Sequence, residues 1–334
     1  MNKLNSIVNR TSAWAAAMAL ALVCSALPAR SAEGAFDRTL KVTGAADVTV
    51  TTGSGDISVR RGSAGTVTVH GEIRVRDNWG MGGGNAEAKV KAIESNPPIE
   101  QTGNIIRIGH LQDPSLRRNV SISYELVVPE DTQLTSQTGS GNQSVEGIRG
   151  PAKVTSGSGS LKISEIGDAV RAGTGSGNIE IDSVRGSAVL NSGSGSIRAE
   201  GIGGGITAQT GSGNLRLSQS APGAVKVITG SGRAQLSNIR GSLHAQTGSG
   251  GISAEGNPTG DWVLHAGSGD LTVRVPSSAG FDLSARSGSG QISTGDSHPI
   301  TVQGTINRHE IHGKVHGGGV RMDLETGSGN IRIE

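Results

Sequence analysis

One short segment of the sequence contains side chains that bind metal ions in other proteins. It reads RHEIHGKVHGGG and includes His309, Glu310, His312 and His316. Zinc hydrolases place two histidines four residues apart on a helix, around a glutamate. The residue order differs here, and the glycines that begin at Gly313 oppose a helix. We therefore interpret the segment as a strand and predict no metal site; its polar outer face would be shared by Glu310, His312, Lys314 and His316.

A second candidate metal position follows each copy of the tripeptide Gly-Ser-Gly, because glycine-rich repeats that contain an aspartate can bind Ca²⁺. The residues at this position are Asn142, Ser160, Asn178, Ser196, Asn214, Arg233, Gly251, Asp270 and Gln291. One carboxylate in nine positions cannot balance a row of calcium ions. We predict neither a calcium ladder nor any other cofactor.

Three carboxylates, Glu180, Asp182 and Glu200, lie in segments that would become neighbours if the repeats stack. Polysaccharide lyases and hydrolases on stacked β-coils need two or more carboxylates, or a carboxylate and an arginine, in one cleft. No acidic pair recurs at neighbouring heights in this sequence. Solvated surface charge is the preferred interpretation, and we name no catalytic or ligand-binding residue.

The tripeptide itself recurs with a nearly fixed period. Its first glycines are Gly139, Gly157, Gly175, Gly193, Gly211, Gly230, Gly248, Gly267 and Gly288, with further copies at Gly53 and Gly327. The step is 18 residues in five of the eight intervals of the main run. A fixed short period indicates a solenoid, in which each repeat buries its apolar face only against its neighbours.

Apolar residues alternate with polar ones at two places in each repeat, which predicts two short strands. The fifth position holds Leu161, Ile179, Ile197, Leu215, Ala234, Ile252, Leu271 and Ile292, and only Gln143 differs. The sequence thus predicts an all-β, single-domain parallel β-solenoid (β-helix) of about 18-residue rungs. Rungs would lie roughly 4.8 Å apart, and a right-handed coil is the default expectation.

The two corners of the predicted rung have different compositions. We expect Gly-Ser-Gly to turn the chain because glycine adopts positive φ, and we expect Ile148, Ile166, Val184, Ile202 and Ile239 to fill the other corner. Thr174, Thr210, Thr229 and Thr247 precede the glycine corner. An ice-binding threonine face was weighed for them, but their inward parity favours hydrogen bonds within the corner. One-residue insertions near Gly223 and Thr259 predict bulges or longer corners.

The composition limits the core and the partners. The 334 residues include 54 glycines and 2% aromatic residues, which suits a thin solenoid core. Residues 1–32 resemble a signal peptide, with Lys3, Arg10 and an apolar run; a lipid on Cys24 or a retained anchor helix is the alternative. Removing them leaves 27 Lys and Arg against 28 Asp and Glu, a net charge of −1. This balance offers no electrostatic basis for binding nucleic acid or an anionic membrane.

The regions that flank the repeat are less regular. We predict a β region and cap over residues 33–136 and the Gly-Ser-Gly solenoid over residues 137–334. Alternating alanines favour a strand over Ala86 to Ile93, and Tyr124 belongs to the buried face of a strand over Asn119 to Val128. Trp262 has inward parity, so we expect a core residue; an outward Trp262 would be a candidate for stacking on carbohydrate.

The sequence resembles a bacterial family of secreted β-strand-repeat proteins of unknown function, labelled as adhesins. The matching segments are VTTGSGDISV, YELVVPEDTQLTSQTGSG and GGGVRMDLETGSGNIRIE. The resemblance implies a β-solenoid exported to the periplasm, outer surface or exterior, and it brings no catalytic residues. We therefore expect a non-enzymatic, adhesin-like binding or structural module whose partner is an envelope polysaccharide or another surface protein. The alternative is a polysaccharide-acting lyase or hydrolase on the same scaffold.

Overall fold

The computed structural model describes residues 31–76, 86–295 and 300–334. Two long sheets, of 14 and 15 strands, enclose one continuous hydrophobic core. We call the 14-stranded sheet the first sheet and the 15-stranded sheet the second. A rung is a pair of consecutive strands, one from each sheet. Strands of consecutive repeats pair in parallel within each sheet, which confirms the predicted β-solenoid. The predicted signal peptide and Cys24 lie outside the described residues, except for Ser31 and Ala32.

The N-terminal region closes one end of the stack with longer strands. Its elements are β1 (Ser31–Lys41), β2 (Asp47–Ser54), β3 (Ile57–Arg61), β4 (Thr66–Arg76), α1 (Ala86–Ser95), β5 (Ile99–Thr102), β6 (Ile105–Ile108), a 3-10 turn (Pro114–Arg117) and β7 (Val120–Val128). Strands β2 and β3 form the first rung. Beyond that rung, β4 lies between β7 and β1 and pairs antiparallel with both. Larger side chains fill this end, with the rings of Phe36 and Tyr124 6.4 Å apart. The predicted cap is therefore present.

Residues Ala86–Ser95 form a helix, so the strand predicted for Ala86 to Ile93 is wrong. The buried residues are Ala86, Val90 and Ile93, whose spacing of four and three is helical. Gly34 of β1 has no side chain to keep Val90 away. The alternation of alanine with charge fits both structures, and packing on β1 and β4 decides for the helix. Within the described residues, no helix is long and apolar enough to span a membrane.

The central repeats continue this stack without a change of direction. Their strands are β8 (Gln133–Ser140), β9 (Gln143–Glu146), β10 (Ala152–Ser156), β11 (Leu161–Ile166), β12 (Val170–Thr174), β13 (Ile179–Val184), β14 (Ala188–Ser192), β15 (Ile197–Ile202), β16 (Ile206–Thr210), β17 (Leu215–Gln219), β18 (Val225–Thr229), β19 (Ala234–Ile239), β20 (Leu243–Ser249), β21 (Ile252–Gly256), β22 (Trp262–Ser268) and β23 (Leu271–Arg274). Identical repeat positions pair in register, as Leu161, Ile179 and Ile197 do. The predicted inward columns are buried in these strands, and Ile292, the last member of the fifth-position column, is half-buried.

The C-terminal strands do not stack in chain order. They are β24 (Phe281–Ser287), β25 (Ile292–Thr294), β26 (Ile300–Ile306), β27 (Glu310–Val315), β28 (Val320–Ser328) and β29 (Ile331–Ile333). Strands β28 and β29 form a rung that lies between the rung of β22 and β23 and the rung of β24 and β25. The Gly-Ser-Gly copy at Gly327 therefore belongs to the same corner column as the main run.

Glycine is required at the first corner chiefly because consecutive rungs approach closely. A Cβ built on Gly139, Gly248 or Gly267 would lie 2.5–2.6 Å from the carbonyl oxygen of the corresponding glycine one rung below. Positive φ occurs at only a few of these corner glycines in the described chain, among them Gly250 and Gly269. The predicted reason, positive φ throughout, is thus wrong for the central rungs.

The second corner and the insertions match the sequence predictions. Ile148, Ile166, Val184, Ile202 and Ile239 are all buried. The pairing of β15 with β17 shifts register so that Ile202 lies opposite Gln219, and a second shift follows Leu236. Leu215 and Leu217 still pair with Ala234 and Leu236, so the insertions leave the inward faces intact.

Candidate functional site

Side-chain hydroxyls of Ser and Thr lock the glycine corner from the inside. The Thr174 hydroxyl donates to the carbonyl oxygen of Gly159 at 2.8 Å and accepts from the Gly177 amide at 3.1 Å. Thr210, Thr229 and Thr247 donate to equivalent carbonyl oxygens. The predicted corner hydrogen bonds are confirmed. Each of these hydrogen bonds joins two neighbouring rungs, so together they hold the glycine corner rigid along the stack.

The residue after each Gly-Ser-Gly forms a second, outer ladder. The Oδ1 atom of Asn142 accepts from the Ser160 amide at 3.0 Å, and Asn178 Oδ1 accepts from the Ser196 amide at 2.9 Å. Ser160 and Ser196 Oγ accept in turn from the next asparagine amides. Each asparagine side chain in this ladder is held through its Oδ1 atom. Its NH₂ group, a hydrogen-bond donor, points away from the hydrogen bond that Oδ1 accepts.

The outer ladder ends where the repeat sequence changes. Asn214 Oδ1 accepts from the Arg233 amide at 2.9 Å, but Arg233 has no acceptor to offer the next rung and Gly251 has no side chain. Asp270 resumes the ladder further along by accepting from the Asn330 amide at 2.8 Å. The carboxylate considered for calcium thus has a hydrogen-bonding role in the backbone stack.

Arginines gather beside the end of this ladder. Arg198 and Arg216 lie directly opposite each other on β15 and β17, and Arg233 immediately precedes β19. Like charges directly opposite on neighbouring strands destabilise a sheet. Glu200 pairs with Arg198 at 2.9 Å and relieves part of this repulsion. Within the part of the chain that the structure describes, the Arg216 side chain is bound only by the neutral Gln235, whose Oε1 accepts from Nε at 3.1 Å and from Nη2 at 2.8 Å.

These arginines line an open groove of about 710 Å³ on the first sheet, which we call the arginine groove. Its polar lining includes Asn178, Ser196, Asn214, Arg198, Arg216 and Arg233, together with Glu180. Among the described residues, Arg233 forms no side-chain hydrogen bond or ion pair. The groove therefore presents an excess of hydrogen-bond donors and positive charge, which suits an anionic, hydroxyl-rich ligand.

The carboxylates considered for hydrolysis or elimination lie near this groove but are not grouped as an acidic pair within it. Asp182 and Glu200 are opposite each other on β13 and β15, and Glu180 lies opposite Arg198. Glu200 is engaged by Arg198. Stacking therefore brings two carboxylates, Asp182 and Glu200, side by side, a pair that the sequence did not predict, while Glu180 lies opposite Arg198.

The histidine segment forms a strand, as predicted. Glu310, His312 and Lys314 share the half-buried face of β27, whereas His316 lies in the following turn with a φ of 49°. Glu310 accepts from Arg286 at 2.7 Å and contacts His312 at 3.0 Å. These two contacts, Arg286 foremost, hold the pKa of the Glu310 carboxyl below its ordinary value. No group of three or more potential metal ligands occurs in the described part of the chain.

Trp262 and Tyr124 are core residues, as predicted. The Trp262 indole is fully buried and its Nε1 donates to the Gly241 carbonyl oxygen at 2.9 Å, so it is not available for stacking on a sugar. Tyr124 is buried, and its hydroxyl has no partner among the described residues. Burial raises the pKa of the Tyr124 hydroxyl.

Sequence reasoning did not find the arginine groove. The alternation of Asn and Ser after Gly-Ser-Gly was visible, but it was weighed only as a calcium pattern. Arg198 and Arg216 alternate with buried residues in β15 and β17, and this alternation alone does not show that the two arginines are paired. The sequence did contain a signal for this groove. Arg198 and Arg216 occupy the same position in consecutive repeats, and Arg233 directly follows the next Gly-Ser-Gly.

The stacked rungs, shared corner and capped ends define a β-solenoid protein. The chain belongs to the family described as Toastrack DUF4097, whose model matches residues 118–334. No curated protein sequence matches the chain.

Solved structures that are similar to the chain include the following three. One is described as a "putative cell adhesion protein" from Clostridium sporogenes (13% identity, 90% of this chain and 99% of that one, TM-score 0.25). The other two are each described as a "putative adhesin". The one from Bacteroides fragilis has 13% identity, covers 90% of this chain and 97% of that one, and has a TM-score of 0.26. The one from Parabacteroides distasonis has 11% identity, covers 90% of this chain and 97% of that one, and has a TM-score of 0.31.

Proposed function

We propose that this protein is a non-enzymatic, adhesin-like binding module of the bacterial envelope, which presents a rigid solenoid face to its partner. One observation carries the proposal: the outer hydrogen-bond ladder fixes outward Asn and Ser side chains at the spacing of the rungs, on a glycine corner that buried Ser and Thr hydroxyls lock from the inside. A surface held in this way loses little conformational entropy when it binds, so weak polar contacts add up to useful affinity.

Export is part of the proposal. The sequence of residues 1–32 supports it, because a basic start followed by an apolar run is typical of a signal peptide. The remaining chain has no cysteine, so the fold needs no disulfide in an oxidising compartment. The regular ladders and the continuous core supply the stability instead.

The test combines location with binding. The tagged full chain would be expressed in a bacterium with such an envelope, the cells fractionated, and the purified chain incubated with isolated envelope polysaccharide and envelope protein. We expect the chain in the periplasmic, surface or secreted fraction and saturable binding to one envelope component. Cytoplasmic retention together with no binding to either component would overturn the proposal.

A parallel assay addresses the polysaccharide-acting alternative. The chain would be incubated with the polysaccharide that it binds, while chain length and new reducing ends are followed. We expect no turnover. Release of oligosaccharides by the wild-type chain, lost on substitution of Asp182 or Glu200, would replace the binding module with an enzyme.

A further inference from the structure

We propose that the arginine groove binds the carboxylate groups of an acidic polysaccharide, with Arg216 and Arg233 as the principal contacts. This inference rests on the proposed binding function and names the substrate class. Arg198 lies opposite Arg216, a placement that costs stability in a sheet, and among the described residues only Glu200 forms an ion pair with either arginine. An anionic ligand would compensate the remaining charge.

The geometry of Arg216 fits this role. Gln235 accepts two hydrogen bonds from its guanidinium group, which fixes the planar fork without neutralising it. Nη1 makes no hydrogen bond to the described residues, so the group keeps free N–H donors toward the groove. Guanidinium groups held in this way bind carboxylates through parallel hydrogen bonds.

Arg233 extends the charge along the groove. It lies on the next rung, diagonal to Arg216, at the point where the outer ladder ends. Gly250 and Gly251 line the groove beside it and leave its floor open, because neither has a side chain. A ligand that lies across the rungs would therefore meet Arg216 and Arg233 in succession.

A polysaccharide fits the remaining lining better than an acidic peptide. Asn178, Ser196 and Asn214 supply amide and hydroxyl groups for sugar hydroxyls along the same groove. Peptide interfaces depend on buried apolar or aromatic anchors, and the exposed side chains of the described groove are polar. A repeating polymer also matches a wall whose donors repeat from rung to rung.

The experiment measures binding of the purified full chain to four probes: polygalacturonate, dextran sulfate, neutral dextran and poly-glutamate. We expect polygalacturonate to bind, neutral dextran not to bind, and the affinity to fall as NaCl is raised. Arg216→Gln and Arg233→Gln should each weaken binding about tenfold, as expected for loss of a charge-assisted contact. Arg332→Gln is the matched control, because Arg332 lies in the same outward column as Arg216 but outside the groove. It should change affinity by less than about twofold. Circular dichroism melts of the three variants would show that each is folded.

The outcomes separate this inference from the proposed function. Binding that Arg216→Gln and Arg233→Gln leave unchanged, or equal binding of neutral dextran, overturns the groove assignment while a binding function stands. Tighter binding of dextran sulfate or poly-glutamate than of polygalacturonate overturns the carboxylated polysaccharide as the ligand. Failure to bind any probe, combined with failure to bind envelope components, overturns both.

Discussion

A single methyl group added at the glycine corner should distinguish close stacking from simple turning as the reason for glycine. Gly139 and Gly53 occupy the same motif position on adjacent rungs. A Cβ on Gly139 would lie 2.5 Å from the Gly53 carbonyl oxygen, which is 0.9 Å closer than the 3.4 Å at which ordinary contact begins. A Cβ on Gly53 would meet nothing within 4 Å. Gly139→Ala should therefore destabilise the protein, and Gly53→Ala should not.

The cost follows from the bonds beside Gly139. The Gly55 amide donates to the Ser140 carbonyl oxygen at 3.2 Å, and the Thr138 hydroxyl donates to the Gly55 carbonyl oxygen at 3.0 Å. Opening the rungs by 0.9 Å would stretch both distances to about 4 Å, beyond hydrogen bonding. Two lost bonds of about 1 kcal/mol each, with some residual overpacking, give a loss of roughly 2–3 kcal/mol.

The assay is thermal unfolding of both variants beside the wild type. A loss of that size lowers the Tm of a chain of this length by roughly 3–4 °C. Gly53→Ala should stay within about 0.5 kcal/mol of wild type, or gain slightly from a less flexible unfolded chain. Equal melting of the two variants would refute close stacking as the reason for glycine.

Three further perturbations test other parts of the stack. Thr210→Val removes the hydroxyl that joins Gly195 to Gly213 and should cost about 1–3 kcal/mol in urea unfolding, whereas the outward Thr207→Val should cost under about 0.5 kcal/mol. Trp262→Phe leaves the Gly241 carbonyl oxygen without its indole donor and should cost about 1–2 kcal/mol in the same assay; an unchanged midpoint would contradict this role. Because the pKa of Glu310 is lower in the folded chain than its ordinary 4.5, its contribution to stability is complete above pH 4.5 and is lost as the pH falls through the folded value. Protection of the β27 amides, measured as hydrogen exchange relative to the intrinsic rate at each pH, should fall over that acidic range in the wild type, and Glu310→Gln should weaken this pH dependence.

The sequence was sufficient to predict those features that each repeat determines for itself. Inward columns such as Leu161, Ile179 and Ile197 follow from a period of two, and the number of residues in a rung follows from the period of 18. Gln143 was the one exception in its column, and the structure explains it: the buried Gln143 accepts from Ser136 and donates to the Thr155 carbonyl oxygen. The buried polar groups of Gln143 and Ser136 therefore have hydrogen-bond partners within the thin core, in each other and in the neighbouring backbone.

Features that depend on distant pairing were not predictable. The identity of α1 was decided by packing on β1 and β4, because the alternating alanines fit both a helix and a strand. The arginine groove depends on which rungs are neighbours and on the direction that each guanidinium takes. The position of Gly327 between Gly267 and Gly288 depends on a rung order that differs from the chain order.

That rung order has a consequence for the surface that is available to a partner. At the N-terminal end, β3 pairs with β9 on one side and with β7 of the inserted cap on the other. At the C-terminal end, β29 pairs with both β23 and β25. The edges of the two sheets are formed by β1, β5, β25 and β26, all outside the central repeats. The rungs of the central repeats therefore have no free backbone edge at which another strand could add, and a partner must bind to a sheet face or a corner of these repeats through side chains. On the first sheet, the arginine groove offers such side chains, because Arg216 and Arg233 form no ion pair with the described residues.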